Sequence, residues 1–91
     1  MRKGYPQIQQ DVGERIRELR EKRTHTQESL ALKSGLDRTY INSVENGRRN
    51  ISVQALEKII LALGYTFKSF FSCELLIQGE KAKEWNHTQS N

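Results

Sequence analysis

The sequence has almost no cysteine: Cys73 stands alone among 91 residues. One thiol excludes an internal disulfide framework and any multi-cysteine metal site. A free thiol also suits a reducing compartment, and a cytoplasmic location is expected. Proline is equally scarce, occurring only at Pro6, so no proline interrupts the rest of the chain. No apolar run approaches the roughly 18 residues that would span a bilayer, and no membrane partner is expected. The N-terminal MRKGYPQIQQ carries basic residues but no apolar stretch, unlike a signal peptide. The two histidines, His25 and His87, are far apart, and His25 has no nearby cysteine or second histidine. No metal, cofactor or small-molecule ligand is expected from such a set. Nor do nucleophile, base or metal ligands converge as an enzyme requires, so the chain is expected not to be an enzyme.

What the chain does have is charge and helical periodicity. Fifteen Lys and Arg stand against eleven Asp and Glu, a net charge of +4. Between Lys22 and Asn50 the balance is six basic residues to three acidic ones. A positive balance favours anionic partners without proving one. No alternating strand pattern persists, and the expected class is all-α.

The stretch from Thr26 to Asn50 organises the rest. Thr26 is a good N-cap, since its hydroxyl can accept from an orphan N–H of the first turn. Gly35 stands where a helix must stop in a left-handed conformation. Leu36 plugs the turn, and Asp37 can cap the next helix. Ile41 and Val44, three apart, point inward. The opposite side carries Arg38, Thr39, Asn42 and Ser43. That face is arginine with short donors and acceptors, the residue types that read base edges in a major groove. Gly47 closes the helix, and Arg48, Arg49 and Asn50 follow. Two short helices joined by a glycine turn are the organisation of a helix-turn-helix, although a plain helical hairpin shares that spacing.

The remaining elements follow in order. Residues 1–6 are expected to be a flexible arm, 7–78 the folded domain and 79–91 a polar, disordered tail. Helix 1 is expected from Gln7 to Lys22, with Ile8, Val12, Ile16 and Leu19 as its apolar stripe and Arg15 on its outer face. Gly13 inside it implies close approach of another helix. Helix 2 is expected over Gln27–Ser34, helix 3 over Arg38–Asn46 and helix 4 over Val53–Leu63. Val53, Leu56, Ile60 and Leu63 form the core stripe of helix 4, with Leu61 facing out. Thr66 caps a fifth helix, TFKSFFSCELLI. Its phenylalanines exceed what a small core needs, and apolar surplus marks interfaces. A two-fold homodimer through Leu61, Phe67, Phe70, Phe71 and Leu75 is therefore expected.

Together these markers resemble the XRE, or lambda-repressor-like, helix-turn-helix family over about Val12 to Phe71. They are Gly13-x-x-Ile16-Arg17-x-x-Arg20, Thr26-Gln27-x-x-Leu30-Ala31, Gly35, Tyr40-Ile41-x-x-Val44-Glu45-x-Gly47 and Ala62-Leu63-Gly64. The run Leu36–Ile41 followed by Arg49-Asn50-Ile51-Ser52 is similar to controller proteins of restriction–modification systems. The chain departs from the family at Thr24 and His25, where a glycine and an apolar residue are common. The resemblance implies a five-helix DNA-binding domain with its helix-turn-helix at helices 2 and 3. It implies backbone contacts from Gln27, Tyr40, Arg48, Arg49 and Asn50, base contacts from Arg38, Thr39, Asn42 and Ser43, and a structural pair of Arg20 with Glu45. The implied function is a homodimeric regulator of its own gene and an endonuclease gene, bound to a near-palindromic site on double-stranded DNA. An antitoxin or phage-type repressor, whose C-terminal apolar surface binds a partner protein, is the alternative.

Overall fold

Short polar side chains open four of the helices. The Oγ1 of Thr26 accepts from the Ser29 N–H at 2.9 Å, while the Ser29 hydroxyl accepts from the Thr26 N–H at 3.0 Å. Thr66 and Ser69 repeat this reciprocal box. Asp37 and Ser52 accept from the N–H groups of Thr39 and Ala55. Each side chain satisfies a donor that the helix cannot satisfy internally. In the computed structural model, which describes residues 4–77, the elements are α1 (Gln7–Lys22), α2 (Gln27–Ser34), α3 (Arg38–Glu45), α4 (Val53–Leu63), α5 (Phe67–Phe71) and α6 (Glu74–Ile77). No strand occurs among the described residues. Met1 to Lys3 of the expected arm, and the expected tail from residue 79 on, lie outside the described residues.

The first four helices end alike. At each C-terminus a residue with positive φ turns the chain, and the next N–H reaches back to a carbonyl of the last turn. Glycine fills this place after α2, α3 and α4, at φ of 76°, 74° and 81°. After α1 the residue is Thr24, at φ 57°. Its N–H reaches Glu21 O at 3.0 Å, and the His25 N–H reaches Arg20 O at 2.9 Å. The departure from the family pattern thus keeps the turn but places a β-branched residue where a left-handed backbone crowds Cβ.

Ile16, Leu19, Leu30, Ile41, Val44, Ile59, Ile60, Leu63 and Phe70 fill the centre. Each such burial stabilises the fold by about 1.5–3 kcal/mol before conformational entropy is counted. At Gly13, α1 and α3 approach so closely that a Cβ would be driven into the Val44 carbonyl oxygen and lie 3.1 Å from that of Glu45. Two expected core residues lie at helix starts and escape the core: Ile8 is 61% exposed and Val53 75%.

The expected fifth helix is in two pieces. In an unbroken helix the carbonyls of Ser69 and Phe70 would accept from the N–H groups of Cys73 and Glu74. Instead the Arg15 guanidinium reaches both, Nε donating to Phe70 O at 2.6 Å and Nη2 to Ser69 O at 2.8 Å, and the Ser72 N–H shares Ser69 O at 3.3 Å. Ser72 leaves the helix and its hydroxyl folds back on Lys68 O. Arg15, expected on the outer face, is accordingly buried.

Two stability measurements follow. Gly13→Ala normally favours a helix by about 1 kcal/mol. Here thermal unfolding should show a loss of roughly 1–3 kcal/mol, because the obstacle is backbone. A stabilised variant would contradict the close approach of α1 to α3. Thr24→Gly should raise stability by about 1 kcal/mol, several degrees in Tm, by relieving the left-handed strain. A lowered Tm would contradict that strain.

Candidate nucleic-acid interface

The amphipathic pattern of α3 decides which side chains it presents. Ile41 and Val44 are buried where α3 packs on α1 and α2, which turns the opposite side outward. Arg38 and Thr39, in the first turn, are exposed, as is Asn42 one turn on, while Ser43 is half-buried. The Asp37 cap holds the start of this helix, so the first two of these residues leave the surface from a fixed backbone.

Beneath that face lies a charged anchor. Arg20 of α1 donates to Glu45 of α3 through Nε at 2.6 Å and Nη2 at 3.0 Å, a two-pronged ion pair. Its Nη1 closes the turn before α2 by donating to His25 O at 2.8 Å. Only 3% of the Glu45 side chain and 11% of that of Arg20 remain exposed. The hydrogen bond with Glu45 raises the Arg20 pKa above its ordinary value, burial opposes this, and the charges of Glu45 and Glu21 add to the rise. The guanidinium therefore stays charged.

The same carboxylate organises polar groups at the surface. Gln27, in the first turn of α2, donates to Glu45 Oε1 at 3.0 Å and accepts from Asn42 Nδ2 at 3.2 Å. Asn46 donates to the Asn42 backbone carbonyl at 2.9 Å. Arg17, Arg20, Gln27, Asn42, Glu45 and Asn46 thereby line one polar recess beside the outward face of α3. Arg17 and Asn46 were not among the sequence-derived site residues. Asn46 could have been found, since it lies four residues after Asn42 on the same helical face. Arg17 shows no such signal, because charged residues surround it on α1.

On the other flank, the loop from Gly47 to Ser52 displays Arg48, Arg49 and Asn50, all exposed. Gln9 Nε2 ties the loop to α1 by donating to Gly47 O at 3.1 Å. The Arg49 guanidinium lies 5.0 Å from the centre of the Tyr40 ring, so a half-buried aromatic props a cation beside α3. The recess with Gln27 and the Arg48–Asn50 loop thus flank the exposed residues of one short helix.

The residues expected at a dimer interface divide. Leu61 is 64% exposed and Phe67 40%. Phe71 is half-buried, stacked on Phe67 and set edge-on to Phe70. Phe70 itself is fully buried within the protomer, so it fills the core and offers no surface to a partner. It follows the first turn of a helix whose end is pinned by Arg15, which turns its ring inward. The side chain of Leu75 lies outside the described residues. Phe71 also joins Ile8, Val12, Ile51 and Leu56 in an apolar groove edged by Arg49 and Asn50.

Among the described residues, no cluster of His, Cys, Asp and Glu could hold a metal ion. No helix among them is long and apolar enough to cross a membrane.

Comparison with known proteins gives consistent matches. The family model described as helix-turn-helix matches residues 16–70. The control protein C.MunI of Mycoplasma sp is 48% identical over 61 residues, covering 66% of this chain and 82% of that protein. The restriction–modification controller protein C.AhdI of Aeromonas hydrophila superposes with a TM-score of 0.68 at 41% identity, over 70% of this chain and 97% of that one. C.Esp1396I, solved as a tetramer in complex with its natural 35 base-pair operator, gives 0.71 at 39% identity, over 78% and 91%. The chain therefore belongs to the XRE-type helix-turn-helix family and, within it, to the restriction–modification controller proteins.

Proposed function

We propose that this protein is a sequence-specific transcriptional regulator of a restriction–modification system. It binds a near-palindromic operator in double-stranded DNA as a homodimer and controls its own gene and that of the endonuclease. The observation that carries this reading is the outward face of α3. Arg38, Thr39 and Asn42 are exposed on a helix whose inner side is fixed by Ile41, Val44 and the Arg20–Glu45 pair.

Each residue has a role suited to its chemistry. Arg38 binds guanine O6 and N7 with two donors, and Thr39 packs its methyl on a thymine methyl. Asn42 and Ser43, a turn further, make the remaining base contacts. Gln27, Tyr40, Arg48, Arg49 and Asn50 hold phosphates on either side and fix the register. The N–H groups that open α2 favour a phosphate beside Gln27. A dimer through Phe67, Phe71 and Leu61 sets two such helices about 34 Å apart, one DNA turn. The operator complex of C.Esp1396I supports both the ligand and an assembly of more than two chains. The protein acts by binding rather than catalysis, in the cytoplasm.

Three variants test the assignments. Arg38→Ala should cost about 1–3 kcal/mol of operator affinity and relax preference at one base position. Arg49→Ala should weaken binding to all sequences and flatten the salt dependence by about one unit. Equal loss by both variants on operator and random duplexes would remove Arg38 from the groove. For the dimer, sedimentation at tens of micromolar should find the wild type dimeric and Phe67→Asp monomeric. A monomeric wild type would overturn the dimer.

A further inference from the structure

Arg15 is a buried cation that none of the proposed DNA contacts uses. Its guanidinium donates to three acceptors on two elements. Nε and Nη2 take the Phe70 and Ser69 carbonyls at the end of α5, and Nη1 pairs with Glu18 of α1 at 3.0 Å. A cation is favoured at a helix C-terminus, and charge-assisted bonds to carbonyls are short and strong. The side chain lies in α1, whereas Phe67 and Phe71 of the proposed dimer face lie in α5. Position passes outward ring by ring. The Arg15 Cζ lies 6.0 Å from the centre of the Phe70 ring, Phe70 meets Phe71 edge-on at 4.9 Å, and Phe71 stacks on Phe67 at 6.5 Å.

The inner end of this chain of contacts is rigid. Gly13, two residues before Arg15, is pressed against the carbonyls of Val44 and Glu45. Arg20, five residues after it and about 7.5 Å further along the helix axis, grips Glu45. Between them, α1 holds the recognition helix α3 with Gly13 and Arg20, and the end of α5 with Arg15.

We propose that Arg15 is a positioning residue that couples the dimer interface to the recognition helix, so that it sets the half-site spacing the protein accepts. The inference rests on the dimer reading above. With Arg15 in place, α5 has one position relative to α3, and the two recognition helices of a dimer have one separation. Without it, the end of α5 loses its clamp. The stacked phenylalanines then shift relative to α3, and several separations become accessible.

The test uses the full chain as wild type, Arg15→Met and Arg15→Lys. Each is measured by thermal unfolding, by sedimentation equilibrium, and by selection from duplexes in which two half-sites are separated by random spacers. The wild type should be dimeric and select one spacer length. Arg15→Met should remain helical, dimerise about tenfold more weakly or worse, and select several spacer lengths. Arg15→Lys, which keeps the charge but cannot donate to both carbonyls along one planar edge, should fall between them. Should Arg15→Met fail to fold, Arg15→Lys decides by the same readouts. A lower Tm with unchanged dimerisation and an unchanged single spacer would overturn the coupling and leave Arg15 a brace of the monomer. A monomeric wild type would overturn the dimer reading together with it, so the two failures are told apart by the wild type alone.

Discussion

The ion pair between Arg20 and Glu45 is the constraint on which the interface depends. Glu45 sits at the end of the recognition helix and is almost completely buried. An unpaired carboxylate there would be costly, and breaking such a pair by removing one partner costs about 3–5 kcal/mol. Arg20 meets both oxygens and Gln27 joins it on one of them, so the charge is well satisfied. Replacing a buried ion pair by apolar side chains of similar size is often neutral or stabilising, so net stability is not the main reason for such a pair. What it supplies is position. It fixes α3 against α1, orients the first turn of α2, and through Gln27 holds the amide of Asn42. One buried carboxylate thus sets both the placement of the helix and the presentation of surface groups on it.

This arrangement explains how so short a helix can serve as a reading head. Eight residues are too few to be stable alone in water. The apolar side of α3 is locked by Ile41 and Val44, its start by Asp37, its end by the turn at Gly47, and its backbone by the contact at Gly13. The backbone that carries the outward residues is therefore ordered before binding, and only their side-chain rotamers remain to be fixed. On the far side of α1, Arg15 applies the same device to α5, ending the helix by occupying its last carbonyls.

Much of this was legible in the sequence, and the parts that were not share a cause. Helix limits were readable because caps and glycines are local signals: Thr26, Asp37, Ser52 and Thr66 open helices, and Gly35, Gly47 and Gly64 close them. Gly13 signalled a close approach because a glycine inside a helix needs a reason. The errors arose where a tertiary contact overrides local pattern. The helical period of α1 places Arg15 among charged neighbours, and only the fold brings the end of α5 to it. The same contact splits the expected fifth helix and turns Phe70 into the core. Ile8 and Val53 fit their apolar stripes by phase, but a stripe does not say where the neighbouring helix ends. Arg17 escaped notice because the polar recess is built from three helices and leaves no mark on α1, whereas Asn46, four residues after Asn42, carried a signal that went unread.

The outward face of α3, doubled by two-fold symmetry, should recognise a defined operator. Selection from random-sequence duplexes, at a salt concentration that suppresses non-specific binding, tests it most directly. One two-fold symmetric motif should be enriched, with half-site centres about one helical turn apart, mapping upstream of the protein's own gene. Enrichment of no motif under those conditions would contradict it.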